Sequence, residues 1–178
     1  GEDGGSHQAI EDISLMRSLP NMVVLNPADA VEARQMVLAA AEYVGPMYLR
    51  FGRAATPVIH DDSYKFELGK GEVVKEGKDV SIIATGIMVA KALEAAETLK
   101  AEGIDAEVIN ISTIKPLDNE LVLASAKKTG KVVTAEEHSI IGGLGSAVCE
   151  LLAEEHPVKV TRIGVKDCFG QSGSPAAL

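Results

Sequence analysis

The residue types best suited to chemistry stand at the start of the chain, in Gly1-Glu2-Asp3-Gly4-Gly5-Ser6-His7-Gln8. A pair of glycines separates the Asp3 carboxylate from the His7 imidazole, so a short loop can turn both toward one cavity. Near neutral pH an imidazole both donates to and accepts from a hydroxyl. A carboxylate beside it holds a neighbouring hydroxyl or orients the ring. The same residues also read as a polar turn in which Ser6 or Asp3 caps the next segment. A site at residue one leads to the expectation that the chain begins in the middle of a domain.

Two further groups of residues have the right chemistry. Arg50 and Arg53 follow an apolar run, Met47-Tyr48-Leu49. Guanidiniums at the carboxyl end of a parallel strand suit a phosphate or carboxylate, because open α/β sheets bind ligands there. A spacing of three does not put both on one face of a strand, so one can serve a site and the other a domain or subunit contact. Two surface cations are the plain alternative. Farther on, Ala135-Glu136-Glu137-His138 reads as a turn before the glycine run Gly142-Gly143-Leu144-Gly145. Backbone N–H groups there could bind an anion, although close helix packing explains the glycines equally well. The run lacks the spacing of a dinucleotide fingerprint. Three adjacent side chains such as Glu136, Glu137 and His138 seldom face one metal ion, so no metal is expected from them.

The elements that position these groups alternate. Apolar spacing predicts a helix over 10–17, ended by Pro20, then a strand at 22–25 and a helix over 30–42. A further strand is expected within 46–51. Residues 54–71 lack periodicity, and the region 57–71 reads as a linker between a partial first domain, 1–56, and a second domain, 72–178. In the second domain strands are expected at 72–74, 80–85, 106–111, 131–135 and 159–165. Helices are expected at 87–102, 118–128 and 143–153, with Gly103 and Gly130 as C-caps. The fold class is α/β: a partial parallel-sheet domain followed by a complete doubly wound one. Pro175-Ala176-Ala177-Leu178 looks like the start of another helix, so the C-terminus also reads as cut.

Bulk properties exclude several functions. With 178 residues and 46% apolar content, the chain has enough apolar surface to fold. A net charge of −9 and 3% aromatic residues, with no Trp, argue against nucleic acid as a partner. The two cysteines, Cys149 and Cys168, suggest neither a disulfide framework nor a metal site. No stretch reaches the ~18 apolar residues of a membrane span, and no signal peptide is visible. The expected location is cytoplasmic.

Taken together, these residues resemble a known family. Gly1-Glu2-Asp3-Gly4-x-x-His7-Gln8 is similar to the characteristic stretch of transketolase pyrimidine-binding domains. Glu11, the Arg17-x-Leu19-Pro20-Asn21 run, Pro27-Ala28-Asp29 and Arg53 keep the register. The second half resembles the transketolase C-terminal domain at Ala84-Thr85-Gly86, Lys115-Pro116-Leu117-Asp118 and Glu136. Gly-Gly-Ser before His7 stands where Gly-Pro-Thr is usual, and this looks closest to the C-terminal subunit of a split, two-chain transketolase. Deoxyxylulose-phosphate synthase and the β subunits of 2-oxo acid dehydrogenases share the architecture and rank second.

The resemblance implies transfer of a two-carbon ketol unit between phosphorylated sugars, with thiamine diphosphate and Mg²⁺. Asp3 and His7 would contact sugar hydroxyls, with His7 also catalytic, and Arg53 would bind the sugar phosphate. The cofactor-binding segments, including the glutamate that activates the aminopyrimidine, would lie upstream of Gly1 or on an N-terminal diphosphate-binding subunit or domain. The assembly would be a homodimer or heterotetramer. A different reading makes residues 72–178 an assembly or dimerisation module, inactive alone.

Overall fold

The structure, a computed structural model, describes residues 4–174. A short 3-10 turn, Gly5–His7, precedes the helix α1, Asp12–Ser18, which starts two residues later than apolar spacing suggests. Next come β1, Val23–Leu25, α2, Ala30–Glu42, and β2, Met47–Leu49. β1 and β2 pair in parallel. Side chains along β1 alternate between faces, as a strand requires. Val24 packs with Ile13 of α1, while Val23 and Leu25 pack with Met36 of α2. A three-residue strand is thereby buried on both sides.

The second half contains β3, Glu72–Lys75, β4, Val80–Ala84, α3, Met88–Ala101, β5, Ala106–Asn110, β6, Thr113–Lys115, and α4, Asn119–Thr129. It continues with β7, Val132–Ser139, α5, Leu144–Glu155, and β8, Val160–Val165. Five strands form a sheet in the order β3-β5-β4-β7-β8. The inner pairings are parallel, and β3 lies antiparallel at one edge. Ile82, Ala84 and Val108 face α3, whereas Ile83, Ile109 and Val132 face α4 and α5. Apolar residues on both faces of the sheet and helices over each are the doubly wound arrangement. Gly130 caps α4 at φ 66° and Gly103 follows α3 at φ 81°, the left-handed conformation that favours glycine.

Two features depart from the sequence expectations, and a third adds to them. The first is β6, which leaves the second unit and pairs antiparallel with β1, completing a three-stranded sheet in the order β2-β1-β6. Ile114 of β6 joins the core between Ile13 and Val24. The second is Ala135-Glu136-Glu137-His138, which is strand and not turn, because β7 runs on to Ser139. Burial there alternates with period two: Glu136 and His138 are inside and Glu137 is exposed. The third is the stretch 54–71, which has no regular element but is tied firmly to α2. Gln35 binds the main chain of Tyr64 and Phe66, the Tyr64 hydroxyl donates to the buried Glu32 carboxylate at 2.6 Å, and Phe66 joins the core under α2. Backbone polar groups there are satisfied by side chains of the helix instead of by a ladder.

Candidate functional site

His7 ends the 3-10 turn and is exposed. Its N–H donates to the Gly4 carbonyl at 3.1 Å, and its Nδ1 lies 3.0 Å from the Ser6 hydroxyl. Ser6 therefore spends its side chain on the imidazole; neither the 3-10 turn nor α1 has a side-chain N-cap among the described residues. Asp3, the other half of the expected pair, lies outside the described residues.

The chain after His7 is held from two directions. The Ala9 carbonyl accepts from Arg50 Nη2 at 3.2 Å, and the Ile10 carbonyl accepts from the Ser139 N–H at 2.8 Å. Arg50 is the centre of this arrangement. Its Nε donates to Asp12 Oδ2 at 3.1 Å and its Nη2 also to the Glu137 carbonyl at 3.0 Å. Tyr48 donates its hydroxyl to the same Asp12 carboxylate at 2.8 Å. Burial, then the hydrogen bond to Asp12 and the charge of Asp12, push the Tyr48 phenol up to about 12, so it stays a donor at any physiological pH. Arg50 thus joins α1, β2 and β7 through its guanidinium.

Arg53 is exposed on the loop that follows β2. Its neighbours Gly52 and Ala54 line a groove of about 330 Å³, together with Asn26, Asp29, Arg50, Glu137 and others. These residues stand at the carboxyl ends of β1, β2 and β7, where parallel sheets place ligands. The structure therefore separates the two arginines. Arg50 makes the interdomain contact and lines the groove, whereas Arg53 is exposed on the loop beside it. Through Arg50 the residue after β2 is tied to Ala9, two residues beyond His7.

The glycine run Gly142–Gly145 does not present an open anion site. Glu136, 2% exposed, fills it: Oε2 accepts from Leu144 N at 2.7 Å and Oε1 from Gly145 N at 2.9 Å, at the start of α5. A Cβ on Gly143 would lie 1.9 Å from Glu136 Oε2, so glycine there makes room for the carboxylate. Burial pushes the Glu136 carboxyl up, against the pull of these two N–H groups. His138 is fully buried next to it, with Nδ1 2.6 Å from the Ser139 carbonyl and Nε2 3.9 Å from Asp12 Oδ1. Both side chains are shut away from solvent.

Sequence reasoning missed Asp12, Tyr48 and Asp29. Asp29 accepts the Glu32 N–H with Oδ1 as the N-cap of α2, and with Oδ2 the N–H groups of Ile59 and His60 and a contact from the His60 ring. The Pro27-Ala28-Asp29 turn before a helix was the available signal for that cap. Asp12 gave none, because its partners lie on other elements. Among the described residues, no three His, Cys, Asp or Glu side chains converge as metal ligands.

Comparison with known proteins fits this geometry. Residues 69–178 match the family described as transketolase, C-terminal domain, and residues 1–58 match the transketolase pyrimidine-binding domain. A 6-deoxy-6-sulfo-D-fructose transketolase subunit from Clostridium sp. is 50% identical over 171 residues, covering 96% of this chain and 53% of its own length. A 1-deoxy-D-xylulose-5-phosphate synthase from Geobacter sulfurreducens is 46% identical over 182 residues, covering 100% of this chain and 29% of its own length. A solved structure, a split gene transketolase in an inactive beta4 tetramer, superposes with a TM-score of 0.89 at 58% identity, over 92% of this chain and 55% of that one. The chain spans about half the length of the transketolase subunit it matches. No helix among the described residues is long and apolar enough to cross a membrane. The chain belongs to the transketolase family, with pyrimidine-binding-domain sequence followed by a C-terminal domain.

Proposed function

We propose that this chain forms the substrate-facing edge of a thiamine diphosphate-dependent transketolase that moves a two-carbon ketol unit between phosphorylated sugars. The observation that carries the reading is the exposed His7, whose chain Arg50 grips two residues later at Ala9, with the exposed Arg53 three residues beyond Arg50, in a chain of the transketolase family. In the tautomer that leaves Nδ1 to accept from the Ser6 hydroxyl, His7 carries its proton on Nε2 and donates it to a sugar oxygen as charge develops there. Asp3 holds an adjacent hydroxyl, and the Arg53 guanidinium holds the sugar phosphate. Thiamine diphosphate, bound with Mg²⁺ on an N-terminal partner chain or segment, supplies the carbon–carbon bond chemistry.

Two variants test the roles. His7→Ala should lower kcat for ketol transfer about 10²-fold. Arg53→Ala should mainly raise KM for phosphorylated sugars, about 10-fold, since a charge-assisted contact to phosphate is worth roughly 1.5–3 kcal/mol. Unchanged kinetics in both would sink the assignment.

The identity with a 1-deoxy-D-xylulose-5-phosphate synthase favours a second reading, in which the same edge binds the substrates of that reaction. Formation of 1-deoxy-D-xylulose 5-phosphate, in place of ketol exchange between sugars, would select it.

A further inference from the structure

The turn that carries His7 has little of its own to hold it. It is three residues long, buries no side chain within itself, and leans on one main-chain hydrogen bond from His7 to Gly4. Its downstream end is fixed at Ala9 and Ile10, by Arg50 and Ser139. Its upstream end is fixed by the opposite end of the chain. The segment after β8 lies on Gly4 and Gly5, main chain against main chain. A Cβ on Gly5 would stand 2.5 Å from the Gly170 carbonyl oxygen and 2.6 Å from its carbon. A Cβ on Gly170 would stand 3.2 Å from Gly5 Cα, and one on Gly4 would stand 2.6 Å from the Ser172 hydroxyl. Gly4 is itself at φ 79°, in the left-handed region. Glycine on both sides is what permits this approach.

We propose that Gly170–Ser172 are positioning residues for His7, so that the C-terminal domain sets the geometry of a substrate contact that belongs to the pyrimidine-binding segment. The inference rests on the reading of His7 as a substrate contact. The tail acts on Gly4 and Gly5, and their backbone carries the hydrogen bond that orients His7. A side chain at position 170 pushes that backbone away, and the imidazole moves with it. A misplacement of about 1 Å near reacting atoms costs on the order of 10²-fold in rate, so a smaller displacement should cost less.

The test uses the complex of this chain with its N-terminal partner, thiamine diphosphate and Mg²⁺. Gly170→Ala and Gly170→Val form a graded pair; if the valine variant fails to fold, the alanine variant reports the same direction. The expected result is a fall in kcat/KM of about 3-fold for alanine and about 10-fold or more for valine. Faster hydrogen exchange at the His7 amide should accompany it, with unchanged exchange at Ile83 and Ile109 in the core. If His7→Ala lowers turnover while both Gly170 variants keep parental kcat/KM and parental exchange at His7, the positioning role is overturned and the substrate role of His7 stands. Unchanged turnover in His7→Ala would overturn both.

Discussion

Replacing Arg50 by methionine should destabilise the chain by about 3 kcal/mol and lower its thermal midpoint by roughly 6–12 °C. Methionine keeps much of the side-chain volume, so the loss is electrostatic. The substitution strips Asp12 of its charged partner and leaves the Ala9 and Glu137 carbonyls without the guanidinium donor. Breaking a buried pair by removing one member costs about 3–5 kcal/mol, because the remaining charge is stranded. The low end applies here: the Arg50 and Asp12 side chains keep 12% and 11% of their surface exposed, and the Tyr48 hydroxyl still serves Asp12. The double variant Asp12→Leu with Arg50→Met removes both charges and should recover most of the loss. Calorimetric scans of the three variants check this. A double variant no more stable than Arg50→Met alone would show that the guanidinium matters through its carbonyl contacts and not through the ion pair. The same change releases Ala9, so activity should fall more than stability alone explains.

Asp29→Ala should cost a further distinct amount, about 3 kcal/mol. Loss of the α2 N-cap accounts for about 1 kcal/mol. The Ile59 and His60 N–H groups, left without acceptors, account for about 1 kcal/mol each. Asp29→Asn keeps one acceptor oxygen and should recover about half of this. The effect has a pH signature. Burial pushes the Asp29 carboxyl up, but the hydrogen bonds from Glu32, His60 and Ile59 and the His60 ring outweigh it and hold the group below its ordinary 3.8. A carboxyl depressed in the folded state stabilises above its unfolded value and loses that contribution as pH falls through its folded value. The gap between the parent and Asp29→Ala should therefore be complete at neutral pH, persist down to about pH 4, and narrow only below it. Urea titrations at pH 7 and at pH 3 measure both ends. A gap that closed already between pH 7 and pH 5 would contradict a depressed carboxyl.

Much of the fold was legible because it is locally encoded. The helices α2, α3 and α4 follow their apolar spacing, and Gly130 marks the end of α4 where its left-handed conformation is needed. The strands β4 and β5 are apolar runs because both faces of a parallel sheet are covered. What escaped depends on partners distant in sequence. β6 is three residues with one buried apolar side chain, and only β1, far earlier in the chain, makes it a strand. The end of β7 looked like a turn because it is Glu-Glu-His. Its in-out-in burial is the period of a strand, with the Glu136 carboxylate held by the start of α5 and the His138 Nδ1 by the Ser139 carbonyl. The stretch 54–71 carries no period at all, since its order comes from Asp29, Glu32 and Gln35 reaching out from α2 and its cap.

The candidate site was legible in composition and not in geometry. His7 and Arg53 were singled out by type and position, and both stand exposed. That Arg50 would be consumed by Asp12, Ala9 and Glu137 could not be read from a spacing of three. Nor could the role of Glu136, whose carboxylate occupies the helix start that a glycine run advertises as an anion site. Both cases have one cause: a polar group's function depends on what it is paired with, and pairing is a property of the tertiary structure.

The proposed reading divides the work: this chain supplies a substrate-binding edge, and a partner chain or segment holds most of the cofactor. A ketol-transfer assay with thiamine diphosphate and Mg²⁺, run with this chain alone and again with an N-terminal diphosphate-binding partner chain, tests that division most directly. The expected result is no turnover from the chain alone and turnover once the partner is added. Cofactor-independent turnover, or turnover by the chain alone, would contradict it.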